Sequence, residues 1–118
     1  MPEAPDTKVY RPVARASAHP RLRVEAGPRG LVGREYSLSK PVVTVGRRAD
    51  QDIVLPDPTV SRTHLWLVRT EGGVAVRDLG STNGTRVNGR PLGPAAVVLR
   101  PGDRVHVGTV VLEVLGEA

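Results

Sequence analysis

The chain has 118 residues, a formal net charge of +5 and no cysteine, which excludes disulfides, thiolate catalysis and cysteine-based zinc sites. The length predicts one domain with a short tail. Phenylalanine is absent and aromatics are few, so valine and leucine must form the core, and β-branched residues such as valine favour strands. Only Lys8 and Lys40 of the 17 basic residues are lysines, and arginine suits planar recognition of phosphate or carboxylate, although GC-rich coding accounts for most of that excess.

Residues 1–20 are predicted to form a disordered tail, because Pro2, Pro5, Pro12 and Pro20 interrupt a segment with few apolar residues. The chain does not start with a basic stretch followed by an apolar core, so we predict no signal peptide. No apolar run approaches the length needed to span a membrane. A soluble, cytoplasmic protein without membrane association is therefore expected, with its folded domain over residues 21–118.

Beyond the tail, short apolar runs alternate with Gly, Pro and Asn-Gly turn signals. Several runs have period-two alternation, and no window of ten or more residues carries a helical stripe. Many short strands with frequent turns predict an all-β fold, an antiparallel sandwich or barrel. The predicted strands are 21–26, 34–38, 42–46, 52–55, 63–70, 73–79, 85–89, 96–99, 103–108 and 110–115.

Three loops between these strands hold polar residues that strand formation does not need. They are "GRRAD" (46–50), "SRTH" (61–64) and "GSTNGT" (80–85). Each has an ordinary explanation on its own: a strand end, a solvated loop with a structural histidine, and a hairpin whose Asn-Gly suits a type I′ turn. Their order and spacing on one all-β chain indicate a shared site.

Together these loops resemble the signature of the forkhead-associated (FHA) domain family. The flanking segments "DIVLPDPTVSRTH", "VRDLGSTNGTRVNG" and "LRPGDRVHVG" are similar to that family too, and the resemblance covers about residues 21–116. It implies a β-sandwich of two sheets with about eleven short, mostly antiparallel strands and binding loops at one end. It also implies a non-enzymatic module, without cofactor or metal, that recognises phosphothreonine in extended peptides. The signature lies in three segments: Gly46-Arg47, Ser61-Arg62-x-His64 and Thr82-Asn83-Gly84.

The resemblance assigns the phosphate contacts to Arg47, Ser61, Arg62 and Thr82, which touch the phosphate or lie beside it. Phosphothreonine carries nearly two negative charges and three strong acceptor oxygens, which suits arginine donors. Ser61 is expected to donate both its hydroxyl and its backbone amide. Asn83 is expected to hydrogen-bond the peptide backbone next to the phosphothreonine.

Four further residues are expected to support the site. Gly46 and Gly84 would permit close backbone approach and positive φ, and the ring of His64 would brace the binding loop through backbone hydrogen bonds. Asn88 is expected to support the loops, with a peptide contact as the less favoured alternative. Selection among the residues after the phosphothreonine is expected from two loops: 56–60 and the turn near Gly108-Thr109.

Two other functions compete with this interpretation. Ser61 and His64 could form a catalytic pair, but no G-x-S-x-G elbow is present, and the acidic residues of 50–57 lack calcium-loop spacing and are expected to form solvated turns. A basic β-barrel that binds single-stranded nucleic acid would need aromatic stacking platforms. Trp66 lies in a core-like strand and Tyr36 is the other aromatic of the folded part, so nucleic acid remains only the alternative.

Thr7 is a candidate phosphorylation site within the tail. Acidic residues precede it and "VYR" follows shortly after it, which is similar to substrate sites of actinobacterial Ser/Thr kinases. Small actinobacterial FHA proteins carry a comparable site, whose phosphorylated tail folds back onto its own domain. We therefore expect a monomer whose partners are phosphothreonine proteins, a Ser/Thr kinase and, within the molecule, its own phosphorylated tail.

Overall fold

A computed structural model describes residues 19–71 and 73–116. In this part of the chain eleven strands form two sheets and no helix is present, which confirms the predicted all-β sandwich. The strands are β1 (Arg21–Ala26), β2 (Glu35–Ser37), β3 (Val42–Gly46), β4 (Ile53–Val54), β5 (Leu65–Thr70), β6 (Gly73–Asp78), β7 (Thr85–Val87), β8 (Arg90–Pro91), β9 (Val97–Leu99), β10 (Arg104–Val107) and β11 (Val110–Leu115).

The six-stranded sheet, called sheet A, has the order β2-β1-β11-β10-β7-β8, and the five-stranded sheet B has the order β4-β3-β5-β6-β9. Strands β3 and β4 pair in parallel, with Val45 opposite Ile53. The other pairings are antiparallel. Strands β3, β4 and β6 therefore run in the same direction and finish at the same end of the sandwich. The loops that follow them contain the polar segments of the sequence.

Period-two alternation places the core between the sheets. In β11 every second residue is buried, and in β5 Leu65 and Leu67 are buried while Trp66 is 39% exposed. The strand containing Trp66 contributes to the core as predicted, but Trp66 itself is not part of that core. Trp66 lies on the outer side of sheet B, in register with Thr44 and Arg77, because the two leucines flanking it take the inner side.

The ten predicted strands are all present, with bounds that differ by at most two residues at either end. Predicted strand 85–89 ends at Val87, because Asn88 (φ 51°) and Gly89 (φ 82°) turn the chain. This turn leads into β8, which the sequence did not predict. Only two exposed residues long and containing a proline, β8 has none of the alternation by which a strand is recognised.

The domain boundary was predicted at residue 21, and residues 1–18 lie outside the described part of the chain. Two residues assigned to the tail already contact the sandwich. The backbone N–H of Leu38 donates to the Pro20 carbonyl (2.9 Å), and His19 Nδ1 lies 3.1 Å from an Arg69 guanidinium nitrogen. Within the described residues we find no helix that is long and apolar enough to cross a membrane.

Candidate functional site

An open groove of about 480 Å³ lies where the loops after β3, β4 and β6 converge. It brings together residues that are up to 36 positions apart in the sequence, and no carboxylate or aromatic side chain of the described residues lines it. The five residues that were predicted to contact a phosphopeptide all line this groove: Arg47, Ser61, Arg62, Thr82 and Asn83.

Arg47 follows the last residue of β3 and is held on both its main chain and its side chain. Its backbone N–H donates to the Ser61 carbonyl (3.0 Å), and its Nε donates to the Val60 carbonyl (3.0 Å). Those bonds fix the position of the side chain in the groove lining. Its two terminal nitrogens have no hydrogen-bond partner among the described residues, so they remain available to an anion.

Gly46 lets the loops after β3 and β4 approach each other. A Cβ at Gly46 would lie 2.8 Å from the carbonyl carbon of Arg62, 2.9 Å from Thr63 Cα, and closer still to the Arg62 carbonyl oxygen. Gly84 has a different reason to be glycine, because its φ is 77° although a Cβ there would meet no described atom within 4 Å. Gly46 is thus required for close approach of the backbones, and Gly84 for its positive φ.

The buried ring of His64 connects two of the binding loops. A backbone N–H only donates, so Nδ1 accepts from Ser61 N–H (3.0 Å) and the ring hydrogen lies on Nε2, which donates to the Gly84 carbonyl (2.9 Å). The ring thus makes backbone hydrogen bonds in both directions. The expectation that the Ser61 amide would also donate to a phosphate is not met, because that amide is already bound to the ring.

Ser61 keeps its hydroxyl for the groove. Its Oγ accepts a hydrogen bond from the Thr82 backbone N–H (3.0 Å), so the hydroxyl hydrogen can still be donated. His64 does not bond this hydroxyl, and both of its ring nitrogens have backbone partners. Within the described chain, Ser61 therefore lacks the neighbouring base that nucleophilic catalysis requires.

Asn83 also lines the groove and ties its loop to the β4–β5 loop. Its Nδ2 donates to the Thr59 carbonyl (2.8 Å). A primary amide has two donor hydrogens and an acceptor oxygen, so one hydrogen and Oδ1 remain for a peptide backbone. The side chain is exposed, as contact with a ligand requires.

Asn88 does not lie in the binding loops. It forms the β7–β8 turn, where its Nδ2 donates to Asp103 (3.0 Å) and its Oδ1 accepts from the Arg104 backbone N–H (2.9 Å). In the β7–β10 register Thr85 faces Val107 at the groove end, whereas Asn88 follows the other end of β7. The predicted support of the binding loops is therefore corrected: Asn88 supports the turns at the opposite end.

Asp78, which the sequence analysis did not single out, organises the β6–β7 loop. Its carboxylate accepts from the backbone N–H groups of Gly80 (2.9 Å) and Ser81 (3.0 Å) and from the hydroxyls of Ser81 (2.6 Å) and Thr85 (2.6 Å). Burial alone would raise the pKa of Asp78, but these bonds outweigh it and hold the pKa below its usual range. An aspartate two residues before a glycine is a known turn signal, which could have identified it.

Asp57 was predicted to lie in a solvated turn, but it is buried. It joins loop 56–60 to the turn near Gly108-Thr109, the two loops from which selection among peptide residues is expected. Its Oδ2 accepts from the backbone N–H of Thr59 (3.0 Å), from the Thr59 hydroxyl and from the Thr109 hydroxyl (3.1 Å). A Cβ on Gly108 would collide with Thr59, so the loops pack closely. The Thr59 hydroxyl, with the other donors, lowers the pKa of Asp57 against the effect of burial.

This lowered pKa predicts a specific loss of stability in acid. A carboxyl whose pKa falls on folding stabilises the fold fully above its unfolded pKa of about 4, and the contribution is lost as pH falls through the folded value. We expect the free energy of unfolding, followed in urea by Trp66 fluorescence, to decline between about pH 5 and pH 2. Asp57→Asn should have a lower free energy of unfolding than the unsubstituted chain at about pH 6, and that free energy should fall less between about pH 5 and pH 2.

The matched control is Asp50→Asn, which removes an exposed carboxylate whose contact with Arg48 lies at the surface. Its decline in acid should equal that of the unsubstituted chain. Equal declines in Asp57→Asn and the unsubstituted chain would contradict the assignment to Asp57.

The described residues contain no group of three or more His, Asp or Glu side chains that could hold a metal ion. Asp52, which lies near Asp57 in sequence, is used in another way. It accepts from Lys40 (2.6 Å) and from the Thr44 backbone (2.9 Å), and these bonds lower its pKa. The chemistry of the groove is thus that of hydroxyl, amide and guanidinium donors.

Comparison with known proteins gives this donor set a context. The family model for the FHA domain matches residues 43–108, which include the whole groove. The chain is 42% identical over 87 residues to the oxoglutarate dehydrogenase inhibitor of Corynebacterium diphtheriae, covering 74% of this chain and 58% of that protein. It is 46% identical over 88 residues to the glycogen accumulation regulator GarA of Mycolicibacterium smegmatis, covering 74% and 52%.

The chain thus spans little more than half the length of these curated relatives. Among solved structures, it is similar to an FHA domain from a study of phosphothreonine-dependent FHA domain interactions, with a TM-score of 0.72 and 33% identity over 82% of this chain and 95% of that one. The sandwich, the groove residues and the family match agree, and the chain belongs to the FHA domain family.

Proposed function

We propose that this chain binds phosphothreonine-containing peptides through the groove. The observation that carries the proposal is the convergence of Arg47, Ser61, Arg62, Thr82 and Asn83 around one open cavity whose described lining holds no carboxylate. A phosphate carries up to two negative charges at neutral pH. Such a lining offers that anion donors and no like-charge repulsion.

Each donor has a distinct task in this proposal. The free nitrogens of Arg47, fixed by the Val60 bond, and the guanidinium of exposed Arg62 form charge-assisted hydrogen bonds with the phosphate. The hydroxyl of Ser61 adds a short neutral donor. Asn83 uses its remaining amide groups on the peptide backbone, which sets the position of the phosphothreonine relative to its neighbours.

We propose binding rather than catalysis as the activity. Both nitrogens of His64 are occupied by backbone groups, so the described residues supply no free general base next to Ser61. The named relatives are an inhibitor and a regulator, which agrees with a module that acts by association. Its expected setting is cytoplasmic signalling by Ser/Thr kinases, the enzymes that produce phosphothreonine.

The alternative of single-stranded nucleic acid has less support. Stacking on aromatic side chains beside a basic groove is the usual arrangement in such proteins. Trp66 is exposed, yet it lies on the outer face of sheet B beside Thr44 and Arg77, and the groove lining contains no aromatic residue from the part of the chain that the structure describes. A phosphopeptide uses the donors that are present and needs no stacking platform.

We further propose that phosphorylated Thr7 is an intramolecular ligand of the groove. Thr7 lies outside the described residues, twelve positions before His19, and an extended chain of that length reaches at most about 40 Å. Tethering gives an effective concentration of about 1 mM. A groove with a dissociation constant of about 1 μM, or −8 kcal/mol, would then be occupied mostly by its own tail, which would block other ligands.

One titration series tests these proposals. A phosphothreonine peptide spanning Pro2–Val13 and its unphosphorylated twin are titrated by calorimetry into the unphosphorylated chain. We expect the phosphorylated peptide to bind with micromolar affinity and its unphosphorylated twin not to bind. Kinase-treated protein should no longer bind the added peptide, whereas kinase-treated Thr7→Ala should still bind it. Failure of this peptide alone would remove the tail proposal. Failure of a whole phosphothreonine library would contradict the groove's proposed function, and salt-sensitive binding of oligonucleotides would then favour nucleic acid.

A further inference from the structure

A second, smaller cavity adjoins the groove. It has a volume of about 260 Å³ and shares Thr59 and Asn83 with the groove, so the two cavities lie side by side. Arg86 of β7 and His106 of β10, which do not line the groove, are also part of its lining. None of the roles assigned above to the phosphothreonine uses either of these two side chains.

Arg86 and His106 lie directly opposite each other on antiparallel strands. Their neighbours Thr85, Val105 and Val107 are buried, so both side chains lie on the outer face of sheet A. Directly opposed residues stabilise a sheet when they carry opposite charges or pack apolar groups, and an arginine opposite a histidine does neither. The pair therefore has no evident structural purpose.

The other arginines on this face of sheet A have acidic partners. Arg21 contacts Glu35 (2.8 Å), Arg23 contacts Glu113 (2.8 Å), and Arg104 contacts Glu25 (2.6 Å). In contrast, no described carboxylate lies within ion-pair distance of Arg86. Its one side-chain hydrogen bond to a described residue, the Gly89 carbonyl, is long at 3.5 Å, so a ligand can readily displace it.

We propose that Arg86 and His106 form a second anion subsite, which reads a second negative group on the same phosphothreonine peptide. The inference depends on the phosphopeptide binding proposed above and specifies its ligand class. The guanidinium supplies a charged donor and the imidazole an N–H donor. An aspartate or glutamate side chain and a second phosphate share this chemistry.

The chain geometry limits where that group sits in the peptide. Arg86 follows Asn83 by three residues, so their Cα atoms are at most about 11 Å apart. An extended peptide advances about 3.3 Å per residue. Because Asn83 is assigned to the backbone beside the phosphothreonine, the second anion lies about two to four residues from it.

The test uses the unphosphorylated 118-residue chain and a set of fluorescent phosphothreonine peptides. Each peptide carries Asp or Asn, or phosphoserine or serine, at one position two to four residues before or after the phosphothreonine. Binding is compared for the unsubstituted chain, Arg86→Gln, Arg86→Gln with His106→Gln, and Arg90→Gln. Arg90 is an exposed arginine on the neighbouring strand that does not line the cavity, so it controls for net charge.

We expect an anion at one position to improve the dissociation constant about three- to tenfold over its neutral counterpart, the range of exposed charge pairs and charge-assisted bonds. Arg86→Gln should reduce this ratio, and the double variant should bring it to about one, while Arg90→Gln leaves it unchanged. Preference for Asp would identify acidic peptides as ligands, and preference for phosphoserine alone would identify doubly phosphorylated ones. Phosphate-dependent binding with no preference at any position would overturn the subsite and leave the phosphothreonine function intact.

Discussion

Arg47→Ala is expected to weaken phosphothreonine-peptide binding by about ten- to a hundredfold without unfolding the domain. Removing hydrogen bonds to a charged group costs about 1.5–3 kcal/mol, and each 1.4 kcal/mol changes a dissociation constant tenfold. Arg47 is exposed, and the truncation leaves its backbone bond to Ser61 in place. Calorimetric titration with the phosphorylated and unphosphorylated peptides measures the loss, and thermal unfolding checks the fold.

Two companion variants separate geometry from charge. Arg47→Lys keeps the positive charge but replaces the planar fork by a point charge, and it cannot both bond the Val60 carbonyl and reach the phosphate with two nitrogens. We expect intermediate affinity for it. Arg77→Ala removes an exposed arginine from the outer face of sheet B and should bind normally. Equal affinities of Arg47→Ala and the unsubstituted chain would disprove the assigned role of Arg47.

Gly46→Ala is expected to lower the free energy of unfolding by about 2–4 kcal/mol, at or above the usual range of about 1–3 kcal/mol for overpacking, because the clash is with main-chain atoms. The added carbon would meet backbone atoms of Arg62 and Thr63, and a backbone cannot rotate away as a side-chain end does. For a domain of this size the melting temperature should fall by about 10–20 °C. The clash should push the loop that holds Arg47 away from the β4–β5 loop, so phosphopeptide affinity should fall as well.

Gly30→Ala is the matched control. A Cβ on Gly30 meets nothing within 4 Å and its φ lies outside the left-handed region, so stability should change by less than about 0.5 kcal/mol. Differential scanning calorimetry of both variants makes the comparison. A melting temperature for Gly46→Ala within about 2 °C of the unsubstituted chain would refute the close packing of the two loops.

The sequence predicted most of the fold because each long strand alternates buried and exposed residues. Strands β1, β3 and β11 agree with their predicted bounds, and each contains several β-branched or leucine residues. What alternation does not reveal is which face of a strand is inside. Trp66 was placed in a core-like strand, yet its two leucine neighbours occupy the inner side and Trp66 faces outward.

The sequence identified residues of short motifs that the structure brings together in one groove, and their binding roles stay predictions. It did not identify contacts between distant loops. The groove residues occur in three compact segments whose resemblance to the FHA signature brought them together. The Asp57–Thr109 bond joins residues 52 positions apart, and nothing in either local sequence indicates the partner. For Asn88 the local sequence was misleading. Its Asn-Gly pair suggested that it supports the binding loops, whereas its partners Asp103 and Arg104 lie at the other end of β7.

The hydrogen bonds of His64 and Asn83 have a consequence for the kinetics of recognition. Each joins one binding loop to another, since His64 connects Ser61 with Gly84 and Asn83 connects its loop with Thr59. The conformational entropy of these loops is therefore lost during folding, before any partner arrives. Association should then proceed as a single-step encounter without a slow isomerisation phase, and differences in affinity among peptides should reside in their dissociation rates.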